Sequence, residues 1–373
     1  MSDDQRKSRI LKVLVLGPDR DDPGGVANYY NAVFPRLSGD GVEAHYLEIG
    51  STHGGKSRLH IIGDQLRLWN TIGRLKPDIV HLNPSLVTRS FFRDGLFIFQ
   101  AKLRGCKVLV FFRGWQVSFE RLVTRKLGWF FRFTYRKADE FIVLASSFSD
   151  TLVKWGVEVP IHLGTTVVCD ENLEGFSIDS KVHEVKTAEQ FKLLFLARLE
   201  WEKGIIDLIQ AVMGLLDQGH RLELTIAGDG PAMSEIRGMI AEKKLYGECI
   251  RVVGYVRGQD KLDIFHSHHI FCLPSEYAEG MPNSIMEAMG FGMPVITCPV
   301  GGIADFFEDG VMGVLIRNRS VQAVSEAIEL LTSDPEKVAE IAHYNHDYAM
   351  RRFLASTGAG MLRKRYLELN CNA

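Results

Sequence analysis

Short apolar runs alternate with amphipathic stretches along most of the chain, the way a parallel sheet wrapped by helices is written in sequence. The alternation occurs twice. The first series places strands at LKVLVLG (11 to 17), EAHYLEI (43 to 49), DIVHL (78 to 82), KVLVFF (107 to 112) and EFIVLA (140 to 145). The second begins at KLLFLARL (192 to 199) and continues through LELTIAG, IRVVGYV, HIFCLPS, PVITCPV and GVLI. Between them, residues 169 to 190 are polar and carry no strong apolar period, which reads as a linker. The expectation is two doubly wound α/β domains, residues 1–172 and 173–350, with a helix over 351–373 placed to cross back to the first. Two such sheets facing each other put a cleft between their strand C-termini, where ligands of open α/β sheets bind.

The 373 residues are 46% hydrophobic and 24% charged, ample for two cores. No apolar run reaches the roughly 18 residues of a membrane span, and the start, MSDDQRKSR followed by LKVLVLG, lacks the h-region and cleavage site of a signal peptide. A cytoplasmic location is expected. Cysteines 106, 169, 249, 272, 298 and 371 are scattered without Cys-x-x-Cys spacing, which points to reduced, mostly buried thiols.

Candidate chemistry concentrates in EGMPNSIMEAMGFG, residues 279 to 292, where Glu279 and Glu287 stand with seven residues between them. Pro282 suits the first turn of a helix and Gly290 or Gly292 its end. If the segment is nearly helical, positions 279, 283 and 287 share a side, and a rise of about 1.5 Å per residue separates the two carboxylates by roughly 12 Å. That is too wide for a shared proton and suits two contacts on one elongated ligand. The turn Gly280, Met281, Pro282, Asn283 offers the backbone N–H groups of its three non-proline residues as an anion site at the helix start. A nucleotide diphosphate-sugar has this layout: sugar hydroxyls, diphosphate, ribose hydroxyls. A solvated helix face is the alternative. Gly24 and Gly25 follow the first strand, where glycine lets backbone approach a phosphate; Gly-Gly is also a common turn.

The run PSEYAEGMPNSIMEAMG resembles the signature of the retaining glycosyltransferases of family 4, which have the GT-B fold of two Rossmann-like domains. FLARLEWEKGIIDLIQA is similar to that family's strand, then Arg, then Lys-Gly at a helix start. Weaker agreements occur at IAGDGP, VVGYV and PVITCPVGGIADFFEDGVMGVLI, and, more loosely in the first half, at PGGVANYY, KPDIVHLN and ADEFIVLASSFSDTLVKWGV. The resemblance implies transfer from a nucleotide diphosphate-sugar with retention, without cofactor or metal. It places Arg198 and Lys203 at the diphosphate, Glu287 at the ribose hydroxyls and Glu279 by the donor sugar. Preorganised cations are the usual means of stabilising a departing nucleoside diphosphate. Where the family often has histidine before glycine, this chain has VFFRGWQ, so Arg113 stands at the sugar side; an arginine does not act as a base but grips oxyanions or hydroxyls.

Asp19-Arg20-Asp21 matches the metal-binding Asp-x-Asp of the GT-A glycosyltransferases, but the tripeptide is short and lies in a first loop of a chain whose second half resembles GT-B. No Asp, His or Glu cluster has metal-ligand spacing, and GPDRDDPGG is not a G-x-G-x-x-G dinucleotide fingerprint. A nucleotide-sugar epimerase of the same architecture, or a binding module without catalysis, remains open beside the transferase.

Charge is divided unevenly: residues 1 to 172 carry a net +6 and the remainder −8. Between Lys56 and Lys137 there are 17 basic residues and only four acidic ones (Asp64, Asp78, Asp94, Glu120). On a helical wheel of FERLVTRKLGWFFRFTYRK (119 to 137), Arg121, Arg125, Arg132 and Arg136 form one stripe with Trp129 beside it, and Leu122, Val123, Leu127, Phe130, Phe131 and Phe133 fill the arc from about 100° to 280°. This predicts a peripheral contact with an anionic membrane surface and a lipid-linked acceptor, on the inner face of the cytoplasmic membrane. Nucleic acid is not expected as a partner, because no segment resembles a nucleic-acid-binding fold.

Overall fold

The computed structural model of the protein describes residues 10–22, 24–50, 59–277 and 280–371. They form two compact units. The first takes in residues up to Val167, Gly280 and Met281, and the segment from Ala355 on; the second takes in Val168–Tyr277 and Pro282–Leu354.

In the first unit, strands β1 (Leu11–Gly17), β2 (Val42–Glu48), β3 (Ile79–Leu82), β4 (Lys107–Phe111), β5 (Glu140–Val143) and β6 (Ile161–Leu163) make one parallel sheet, in the order β2-β1-β3-β4-β5-β6. The inner strands are buried almost throughout and the edge strands β2 and β6 only partly, as expected when helices cover both faces. A further two-residue parallel pairing joins Ser85–Leu86 to Gly114–Trp115.

Beside this sheet lies an aromatic core. Phe91 stacks on Tyr135 at 5.2 Å, Tyr135 on Phe131 at 5.2 Å, and Trp115 on Phe148 at 4.5 Å. Buried Asp94 is held by Arg93 Nε at 2.7 Å and Ser90 Oγ at 2.6 Å, so its charge is paired. The terminal helix Ala355–Cys371 belongs to this unit. Its Tyr366 hydroxyl lies 2.6 Å from His81 Nδ1 on β3, and Lys107 Nζ donates to Leu369 O at 2.5 Å. Burial pushes the His81 pKa down to about 3, with Arg113 adding to the shift, so the ring stays neutral.

In the second unit, β7 (Phe191–Leu196), β8 (Leu222–Ala227), β9 (Ile250–Gly254), β10 (Ile270–Leu273), β11 (Val295–Thr297) and β12 (Gly313–Leu315) form a parallel sheet in the order β9-β8-β7-β10-β11-β12. This is the order of the dinucleotide-binding Rossmann fold, whose ligand crevice lies where the order reverses, here between β7 and β10. The corresponding reversal in the first unit falls between β1 and β3.

Three expectations are corrected. The stretch read as a linker contains a helix, Ile178–Lys186, capped by Ser177 Oγ, and its Lys181 is buried with Nζ donating to His268 O at 3.0 Å. Segment 119 to 137 is not one α-helix: α-helix over Val117–Leu122, a π-turn over Val123–Leu127, α-helix over Gly128–Phe133 and a 3₁₀ turn over Tyr135–Lys137 succeed one another. A π-turn adds a residue to the turn and rotates the downstream side chains by roughly 100°, so the even wheel breaks. Val123, Phe130 and Phe131 are buried, whereas Leu122 and Phe133 face solvent. Finally, helix Asn283–Gly290 begins after Pro282, which serves as its N-cap. Pro282 is extended, with ψ at 121°, so the helix does not continue back through it; Glu279, and with it the expected separation from Glu287, lies outside the described residues.

Candidate functional site

The second unit builds its site at the ends of β7 and β10. The chain leaves β7 through Arg198 and enters a 3₁₀ turn, Trp201–Lys203, which Gly204 closes in the left-handed region at φ 77° before helix Ile205–Asp217 starts. Lys203 is only 8% exposed, and its Nζ lies 4.8 Å from the centre of the Tyr277 ring. Burial pushes its pKa down to about 8, against the pull of Glu200 and with the help of Arg198. Arg198 itself is exposed and pairs with Glu200 at 3.0 Å. The loop after β8 presses on this segment: a Cβ on Gly228, at φ 148°, would stand 1.9 Å from Ala197 O. Only glycine permits that approach.

Arg319 ties the surroundings together. Its Nε meets Asp207 at 2.8 Å, Nη1 donates to Glu202 O at 3.0 Å, and Nη2 reaches Glu276 at 3.4 Å. The loop bearing Lys203 and the loop leaving β10 are thus joined through one guanidinium. A backbone bond from Glu276 N to Glu202 O, 3.0 Å, runs parallel to it.

Helix Asn283–Gly290 comes next, its N-terminus without a side-chain cap. Backbone N–H groups at an uncapped helix start suit an anion. Glu287, one turn in, is 12% exposed and accepts from Lys261 Nζ at 2.6 Å. Glu279 lies outside the described residues. Gly280 and Met281 group with the first unit, where a Cβ on Gly280 would come 2.7 Å from the Leu144 side chain.

The first unit carries Gly24, Gly25 and Arg113. Gly25 opens helix Gly25–Val33, and Gly24 precedes it with φ 163°, an extended conformation open to any residue. Among the described residues a Cβ there would meet nothing within 4 Å, and its backbone does not require glycine. Arg113 lies just past β4, its N–H donating to Pro84 O at 2.9 Å. Its guanidinium lies over the Tyr29 ring at 3.8 Å and the Phe111 ring at 4.4 Å, with the residue 9% exposed. Among the described residues its Nε and Nη1 find no hydrogen-bond partner. Burial lowers its pKa, against Tyr29 and Tyr30. Nearby, Tyr30 donates to Asn83 Oδ1 at 2.7 Å, and Asn83 Nδ2 to Leu16 O at 2.9 Å.

The structure therefore groups Arg198, Lys203 and Glu287 in one unit and Gly24, Gly25 and Arg113 in the other. Lys261 and Arg319 escaped sequence reasoning, since neither belongs to a motif and each acquires meaning only from what it faces; Tyr277 stands inside the signature run, but its place over Lys203 is not written there. Among the described residues no group of three or more His, Cys, Asp or Glu is arranged to hold a metal ion.

A family model described as glycosyl transferases group 1 matches residues 178–347, and one described as glycosyl transferase 4-like domain matches residues 8–163. The chain belongs to the GT-B glycosyltransferases and resembles their family 4. It is similar to alpha-D-kanosaminyltransferase of Streptomyces kanamyceticus, 24% identical over 260 residues that cover 67% of this chain and 66% of that one. It is also similar to the amylovoran biosynthesis glycosyltransferase AmsK of Erwinia amylovora, 30% identical over 158 residues, 41% of this chain and 39% of that one. The chain thus spans less than two thirds of these relatives' own length. In fold it resembles Anabaena Alr3699/HepE, solved in complex with UDP-glucose, with a TM-score of 0.71 at 16% identity over 97% of this chain and 100% of that one.

Proposed function

We propose that the protein transfers a sugar from a nucleotide diphosphate-sugar to a lipid-linked saccharide, with retention of anomeric configuration and without a metal ion, in surface-polysaccharide or glycoconjugate synthesis. The observation that carries this reading is the buried Lys203 beside Arg198 at the switch point of the second sheet. A cation held in low-dielectric surroundings, fixed before the reaction begins, stabilises charge developing on a departing diphosphate far better than a solvated one. The uncapped helix at Asn283 supplies N–H dipoles on the same side, and Glu287 an acceptor for ribose hydroxyls. A nucleotide diphosphate-sugar is in keeping with the UDP-glucose of the Anabaena neighbour, and a saccharide acceptor with the amylovoran relative.

The acceptor's lipid character is supported by the first unit's surface. Trp129 and Phe133 are 60% and 56% exposed, among the solvent-facing Arg125, Lys126, Arg132 and Arg136. Exposed aromatics among cations suit the boundary of an anionic bilayer, where rings sit at headgroup level and arginines meet phosphates. Incubation with labelled nucleotide-sugars and a lipid extract tests the whole. A new lipid-linked glycoside is expected; a new epimer, or binding with no product, would replace the transferase with one of its two rivals.

A further inference from the structure

Glu287 is the residue on which recognition of the nucleotide's ribose rests in the reading above, and the structure gives it a neighbour that no motif contains. A glutamate has three rotatable bonds, and a carboxylate that is to accept two vicinal hydroxyls serves only if it is already pointed. Lys261, on helix Gly258–Ser267, donates to one oxygen of Glu287 at 2.6 Å, with the side chains only 20% and 12% exposed. The other oxygen has no hydrogen bond to a described residue.

This pair is not a chance surface contact. One helical turn beyond Lys261, the fully buried Phe265 stacks at 5.3 Å and 4° on Phe291, which stands one turn beyond Glu287. The two segments therefore meet twice at the same four-residue interval, once through rings and once through charge. Side chains four apart on a helix lie on one face, so the apolar contact fixes where the charged one falls. The lysine stem runs over the same ring, Nζ 5.9 Å from the Phe265 centre. With its root anchored and its partner largely buried, the ammonium occupies one carboxylate oxygen and leaves the second for a ligand.

We propose that Lys261 is a positioning residue for ribose recognition: by holding one oxygen of Glu287 it presents the other to the hydroxyls of a ribonucleoside diphosphate, and so sets the preference of this site for ribo- over deoxyribonucleotides. The inference rests on the placement of Glu287 at the ribose. It predicts that Lys261, though not itself a ribose ligand, controls the discrimination as strongly as Glu287 does.

The test is calorimetric titration of the full-length protein with UDP, GDP and ADP, each beside its 2′-deoxy and 3′-deoxy counterparts. For the nucleotide bound most tightly, the unaltered protein should prefer the ribo form by about tenfold or more, as expected when a charged hydrogen bond is lost. Lys261→Met should shrink that gap to near unity, Lys261→Arg should restore most of it, and Lys261→Met with Glu287→Ala should bind no more weakly than Glu287→Ala alone. A merely structural lysine would lower the melting temperature and leave the gap intact; that result overturns the proposal, and Lys261→Gln, which removes the charge but keeps a polar side chain, reads the same gap if Lys261→Met does not fold. If Glu287→Ala erases the gap while Lys261→Met keeps it, the positioning role fails and the ribose assignment stands. If Glu287→Ala keeps the gap, the ribose assignment fails first.

Discussion

A Cβ on Gly204 would stand 2.3 Å from the carbonyl oxygen of Pro274. The residue after Lys203 is thus pressed against the loop leaving β10, in a left-handed conformation that an L side chain adopts only with strain. The lysine's place is set by backbone contact as much as by its own packing.

Gly204→Ala should therefore destabilise the protein by about 1–3 kcal/mol, combining the left-handed penalty with displacement of Pro274. It should also weaken nucleotide binding, because Lys203 moves with the turn. Urea unfolding and a UDP titration read the two effects. An unchanged unfolding midpoint would mean that the loops are not in contact as described.

Lys203 should make the reaction sensitive to alkali. With its pKa lowered to about 8, the lysine is cationic below that pH and loses its proton above it. For the free enzyme, kcat/KM for the donor should fall as pH rises through about 8, and Lys203→Arg should move that limb upward, since arginine keeps its charge. Lys203→Ala should lower turnover by about 100-fold, as loss of one preorganised donor commonly does. A flat profile between pH 7 and 9.5 would remove Lys203 from the leaving-group role.

How much of this was legible depended on whether a residue's meaning is local. β1, β3 and β10 read directly from LKVLVLG, DIVHL and HIFCLPS, because strands covered on both faces are continuously apolar. Ile161–Leu163 escaped: three residues at a sheet edge, with His162 partly exposed, leave no pattern. The regular wheel drawn through residues 119 to 137 failed because Phe119, Phe130, Phe131 and Tyr135 all turn toward one aromatic core, and the π-turn that lets them do so is a tertiary outcome. Lys203 and Glu287 were visible as motif residues, but the burial of the first under Tyr277 and the pairing of the second with Lys261 required the fold.

The stereochemical outcome is open to direct measurement. Retention of anomeric configuration is expected in the glycoside formed, with turnover undiminished by a metal chelator. An inverted product by NMR, or activity abolished by chelator and restored by a divalent cation, would overturn the proposed mechanism.

Membrane association should depend on charge and exposed rings together. In flotation assays at low salt the protein should rise with anionic vesicles and stay down with neutral ones, since each basic residue near an anionic surface adds about 1 kcal/mol of attraction. Changing Arg121, Arg125, Arg132 and Arg136 to Ser should abolish flotation while sparing nucleotide binding, and salt should weaken it steeply. Failure to float with either vesicle would point to a soluble acceptor.

The terminal helix Ala355–Cys371 completes the unit that β1 begins, so in chain order the second unit is an insertion within the first. During synthesis His81 and Lys107 are made long before Tyr366 and the Leu369 carbonyl that they meet, with the whole of the second unit between. The first-made unit passes that interval without its terminal helix. A chaperone that binds exposed apolar surface therefore has its longest opportunity on the first-made unit.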